Sequence, residues 1–249
     1  MTQLPKDSTD VSRLLTGIDS ARLGRRIFMR YLGATAAAGV ALSACHSEVM
    51  DSAVPRGAGR AAAIGEVVDL GDLQTNDVAI LNYAYALEQL EAAFYVQVMM
   101  TPYSGITDAE RIILKDIRDH EVGHRELFRT ALGGAAIPDL TPDFSTINFS
   151  SRDAVLSVAK TYENVGVSAY NGAGKFIKSA DYLTLAGKIV SVEARHAAVI
   201  AALIDPNSVS FAGMPEVDDT TGLDKVRSFR EVLTIVAPFL KQKFNFNAA

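Results

Sequence analysis

Four stretches of this 249-residue chain carry apolar residues at steps of three and four, and in each the apolar stripe is broken at mid-length by ionisable side chains. The first reads Leu81, Ala84, Glu88, Glu91, Tyr95, Val98, and the second Leu114, Ile117, Glu121, His124, Phe128, Ala131. The third reads Leu156, Ala159, Glu163, Gly166, Tyr170, Ala173, Ile177, and the fourth Ala186, Ile189, Glu193, His196, Ile200, Leu203. This spacing turns one face of each helix toward a core. A carboxylate at the middle of such a face costs several kcal/mol to bury unless something compensates it. Four helices with the same defect call for one shared compensator. The chain is therefore restricted to an all-α bundle in which four seams meet.

The interrupting residues are Glu88, Glu121-x-x-His124, Glu163 and Glu193-x-x-His196. A Glu from each of two helices plus a Glu-x-x-His from each of the other two is the ligand set of a carboxylate-bridged dinuclear centre inside a four-helix bundle. Four carboxylates and two neutral imidazoles carry four negative charges, which two divalent cations neutralise. A lone Glu-x-x-His is usually a pair of exposed neighbours, but here the pattern is duplicated. Each pair is preceded by a helix with a central Glu, 33 residues before Glu121 and 30 before Glu193. Tyr95 and Tyr170 extend the duplication, each seven residues after the Glu of its own helix. Either tyrosine can be read as core packing with a hydroxyl partner or as a group acting beside the ligands. Glu91 competes with Glu88 on the same seam, as a further ligand or an acid on the path inward. Its counterpart is Gly166, so symmetry favours Glu88.

At this point the chain resembles the ferritin-like superfamily. Through Leu87-Glu88-Gln89-Leu90-Glu91-Ala92-Ala93-Phe94-Tyr95 it is most similar to bacterial ferritin-like domain proteins related to desiccation-associated proteins. It shares the Glu-to-Tyr spacing of bacterioferritin and rubrerythrin. The resemblance covers roughly residues 76 to 204. It implies Glu88 and Glu163 as terminal carboxylates, Glu121 and Glu193 as bridging ones, and His124 and His196 as one nitrogen ligand on each metal. Several members place an Asp before the motif Glu to orient a ligand His. Here His120 and Val192 stand there, so that support must differ, and His120 reads as a surface or packing residue rather than a seventh ligand.

The bundle is expected over 76–204, with a long crossover between helices two and three. Thr107-Asp108-Ala109-Glu110 is a capping box for the second helix, and Gly133-Gly134 follow its end. Ser150 or Ser151 can cap the third helix and Ser179 the fourth, which stops at Asp205-Pro206. Counting from these ends, antiparallel helices bring Glu88 and Glu121 to one level. The connection from Gly133 to Ser150 is too long for a simple hairpin, yet at roughly 3.3 Å per residue it can run the length of the bundle. Residues 205–249 are expected to form an extension with one amphipathic helix over about 223–239, packed outside the bundle or at a partner interface.

The amino terminus reads separately. Gly24-Arg25-Arg26-Ile27-Phe28-Met29-Arg30 and the apolar run to Ala44 resemble a twin-arginine export signal, too short to span a bilayer comfortably. Leu42-Ser43-Ala44-Cys45 fits a lipobox, and Cys45 is the one cysteine of the chain. Residues 1–44 are thus expected to be a signal peptide, Cys45 the lipidation site that anchors the protein to a membrane on the periplasmic side, with a soluble exported protein cut nearby as the alternative, and 45–75 a flexible tether with a short ordered segment near Val67 to Leu73. With one cysteine, no internal disulfide is possible. A net charge of −5 disfavours nucleic acid as a partner.

Carboxylate and imidazole ligands without a thiolate suit iron, or alternatively manganese. The expected activity is that of a di-iron oxidoreductase of ferroxidase or peroxidase type, acting on dioxygen or peroxide. A manganese catalase-like enzyme and a non-enzymatic stress or desiccation protein remain alternatives. A lipid tether and a carboxy-terminal helix fit a monomer or dimer better than a ferritin-type cage.

Overall fold

The computed structural model describes residues 60–248. The twin-arginine stretch, the lipobox with Cys45 and the first part of the expected tether lie outside the described residues. Four long helices dominate: α1 (Asp77–Met100), α2 (Asp108–Leu132), α3 (Arg152–Ala173) and α4 (Ala180–Ile204). Each start is capped by a side chain that satisfies a free backbone N–H. Asn76 caps α1, Ser151 caps α3 and Ser179 caps α4, while Thr107 and Glu110 form a reciprocal capping box on α2. Gly133, with φ of +52°, closes α2 in a backbone conformation that a residue with a Cβ rarely adopts.

The short link over 101–107 pairs α1 with α2, that over 174–179 pairs α3 with α4, and the segment 133–151 crosses between the pairs. The crossover lies along α1 and is fastened there by two buried amides. Asn82 donates to the Ala135 carbonyl at 2.9 Å and accepts from the Ile137 N–H at 2.7 Å; Gln89 accepts from the Leu140 N–H at 2.8 Å. Every residue from Ala79 to Ala92 is consequently buried, and α1 is enclosed on all sides. The core runs from Leu81 and Phe128 through Leu114, Leu156 and Ile200 to the aromatic group Phe94, Tyr162 and Phe239.

The short ordered segment expected near Val67 to Leu73 is β1 (Val67–Asp72), which pairs in parallel with β2 (Lys243–Asn247) and adds a two-stranded ribbon to the bundle. The cause is local alternation, with Val68, Leu70 and then Leu73 turned inward. The carboxy-terminal helix is shorter than expected. It is α5 (Phe229–Val236), begun by a Ser228–Glu231 capping box, whereas Leu223 and Val226 are exposed in the preceding loop. It packs on the bundle itself, with Phe229 edge-on to Tyr83 at 4.9 Å between ring centres. No helix among the described residues is long and apolar enough to cross a membrane.

Candidate metal centre

Each helix brings its interrupting residues to the same layer of the bundle. Glu88, Glu121, Glu163 and Glu193 are all 0 % exposed, His196 is buried and His124 nearly so. His124 Nδ1 lies 3.0 Å from Glu193 Oε1, 3.4 Å from Glu88 Oε2 and 3.5 Å from Glu121 Oε2. His196 Nδ1 lies 2.8 Å from Glu121 Oε1 and 3.4 Å from Glu163 Oε2. These close approaches lack hydrogen-bond geometry. Both nitrogens, both oxygens of Glu121 and of Glu193, and one oxygen each of Glu88 and Glu163 are buried without a hydrogen-bond partner. Buried polar atoms normally find partners, and so many orphans converging on one spot form a donor cluster suited to cations.

The donor atoms divide into two groups of four, each contained within 4.8 Å: Glu88, Glu121, His124 and Glu193, and Glu121, Glu163, Glu193 and His196. Glu121 and Glu193 belong to both. Each group could hold a metal ion, and each contains one imidazole and three carboxylates. The donors fit divalent iron or manganese better than a metal that prefers sulfur.

A model of the ferritin-like domain family matches residues 76–206, more than half of the chain. The chain belongs to this ferritin-like domain family. No curated protein matches it. The match begins at the cap of α1 and ends just past α4, so the ribbon and α5 are additions to the ferritin-like unit.

Electrostatics follow from this burial. Burial pushes Glu121 up to about 7, with His124 and His196 drawing it back. Burial and then the Glu121 charge hold Glu193 well above the ordinary carboxyl range. Burial works against a charged His196, yet the nearby Glu121 and Glu163 carboxylates outweigh it and raise the imidazole to about 10. For His124 burial is likewise opposed by Glu121, Glu193 and Glu88, and the net shift is upward. Protons on these groups supply the positive charge that the dry cluster demands, and a metal ion competes for the same places.

The tyrosines cross between the repeats. Tyr95 of α1 donates its hydroxyl proton to Glu163 Oε1 of α3, and Tyr170 of α3 donates to Glu88 Oε1 of α1 at 2.5 Å. Burial, followed by the adjoining carboxylate, keeps both phenols protonated. Each hydroxyl therefore occupies one oxygen of Glu88 or Glu163 and leaves the other free for the centre.

Glu91 is the fifth carboxylate. It is buried, and its Oε1 shares with Glu193 Oε2 the space over Gly166, each 3.2 Å from where a Cβ on that glycine would sit. Burial, then the charges of Glu193, Glu121, Glu88 and Glu163, hold Glu91 well above the ordinary range. With its proton retained, Glu91 leaves the charge balance of four carboxylates and two divalent ions intact. His120, read as a surface or packing residue, is exposed and also packs edge to edge on a ligand histidine, its Nδ1 2.9 Å from His196 Nε2. Sequence spacing missed this contact because His120 lies beside the seam, not on it. The signal was its position one residue before the motif Glu.

Proposed function

We propose that this ferritin-like domain holds a carboxylate-bridged pair of metal ions and works as a di-iron oxidase or peroxidase. Glu121 and Glu193 would be shared by the two ions, with Glu88 and His124 holding one and Glu163 and His196 the other. The observation that supports this most is the sharing of Glu121 and Glu193 by two buried four-residue groups. Iron held in these places would supply the redox chemistry toward dioxygen or peroxide. The protein's own part is to bind, orient and shield. Apolar residues above and below the layer, among them Leu114, Leu156 and Ile189, exclude water and strengthen every charge interaction within it. Tyr95 and Tyr170 restrain the terminal carboxylates and hold a proton beside each. The twin-arginine stretch and Cys45 further support export and a lipid anchor, which fit a role in defence against iron or oxidants at the cell envelope.

Metal analysis coupled to oxygen and peroxide consumption tests the proposal. The purified chain is expected to bind two irons and consume oxidant, while Glu121→Ala and His196→Ala are folded and inactive. Turnover of peroxide with manganese but not iron would favour the catalase-like reading. Absence of bound metal, with an unchanged melting temperature on adding it, would leave only a structural stress protein.

A further inference from the structure

The two halves of the centre repeat one another at four positions and differ at a place that touches a ligand. Glu88 corresponds to Glu163, Glu121 to Glu193, His124 to His196 and Tyr95 to Tyr170. One residue before the motif Glu, however, α2 carries His120 and α4 carries Val192. His120 Nδ1 is 2.9 Å from His196 Nε2 and the two rings lie nearly parallel, 12° apart. His196 Nδ1 meanwhile faces the Glu121 and Glu163 carboxylates. An imidazole that binds a cation through Nδ1 carries its proton on Nε2 and needs an acceptor there. His120 Nδ1 stands where that acceptor belongs. For His124 the matching position is the aliphatic side chain of Val192, which offers neither donor nor acceptor.

We infer that His120 is a positioning residue that fixes the ring and tautomer of His196, so that the two metal sites are unequal and the Glu163–His196 site fills first. The inference rests on the dinuclear reading proposed above. Among the described residues, His196 is held from behind by His120 and His124 has no such support. The exposed edge of His120 also means that its substitution opens no hole in the core.

The test is a titration of the metal-free full chain with Mn(II), with the free ion counted by electron paramagnetic resonance. The wild-type chain is expected to show two resolved steps. His120→Phe keeps an aromatic ring beside His196 but removes the acceptor. It should weaken the tighter step by about 10- to 100-fold and leave the weaker step in place. His120→Asn places an oxygen one bond beyond Cγ, where Nδ1 was, and should restore the tighter step. Long-range proton–nitrogen spectra of the Zn(II)-loaded chain give a second readout: His196 protonated on Nε2, with that signal moved by Phe and recovered by Asn. Equal steps in the wild type, or a tighter step that His120→Phe does not move, would overturn the inference while two bound ions still upheld the dinuclear centre. No binding of Mn(II) at all would overturn both.

Discussion

Removing metal from a centre of this kind should reverse the usual response of stability to alkali. The metal-free cluster retains protons on buried carboxyls that titrate far lower in the unfolded chain. For Glu121 the folded value is about 7 against an ordinary 4.5. A group raised on folding contributes its proton-linked stability in full below the unfolded value and loses it as pH rises through the folded one. Between about pH 4.5 and 7 the cost from Glu121 is on the order of 3 kcal/mol, a sizeable part of the stability of one domain. Glu91 and Glu193 act in the same direction. His196 continues the trend, its contribution complete below 6.5 and lost as the pH passes about 10. Metal-free chain should therefore unfold more easily at pH 8 than at pH 5. Bound Mn(II) needs the deprotonated ligands, so its stabilising effect should grow over the same interval. Urea unfolding followed by circular dichroism at pH 5, 6, 7 and 8, with chelator and with excess Mn(II), measures both curves. Glu121→Gln should flatten the metal-free slope below pH 7 by about the amount given. Metal-free stability that rises from pH 5 to 8, or a slope indifferent to Glu121→Gln, would show that buried protons do not hold the metal-free cluster together.

Three substitutions test the packing around the centre. Gly172→Ala sets a Cβ 2.0 Å from the Arg227 carbonyl oxygen, a backbone atom that cannot yield cheaply. It should cost about 1–3 kcal/mol in urea unfolding and expose the segment before α5 to protease, because Arg227 also donates to Ser168 and Asn164 there. Gly166→Ala brings a Cβ to 3.2 Å from the Glu193 and Glu91 oxygens, so metal affinity measured by calorimetry should fall while the fold persists. Asn82→Ala strands the buried Ile137 N–H and should lower stability by about 1–3 kcal/mol, with hydrogen exchange accelerated in the crossover.

The residues gathered at the centre were legible in the sequence for a physical reason: a charge in the middle of an apolar stripe has no bland explanation when it recurs on four helices. Caps were equally plain, since Thr107 with Glu110 and Ser179 announce helix starts locally. Pairing of β1 with β2 was not, because partners at Val67 and Lys243 are far apart in the chain and each strand is short. Nor was the enclosure of α1, which depends on Asn82 and Gln89 binding a crossover whose path no periodicity records. The His120–His196 contact likewise depends on how α2 and α4 are rotated against each other. A single residue before a motif tells little of that.

The most direct measurement is anomalous diffraction from crystals of the chain grown with iron or manganese. Two peaks about 3.5–4 Å apart are expected, both between Glu121 and Glu193, one beside His124 and the other beside His196. A single peak away from these carboxylates, or none at saturating metal, would contradict it.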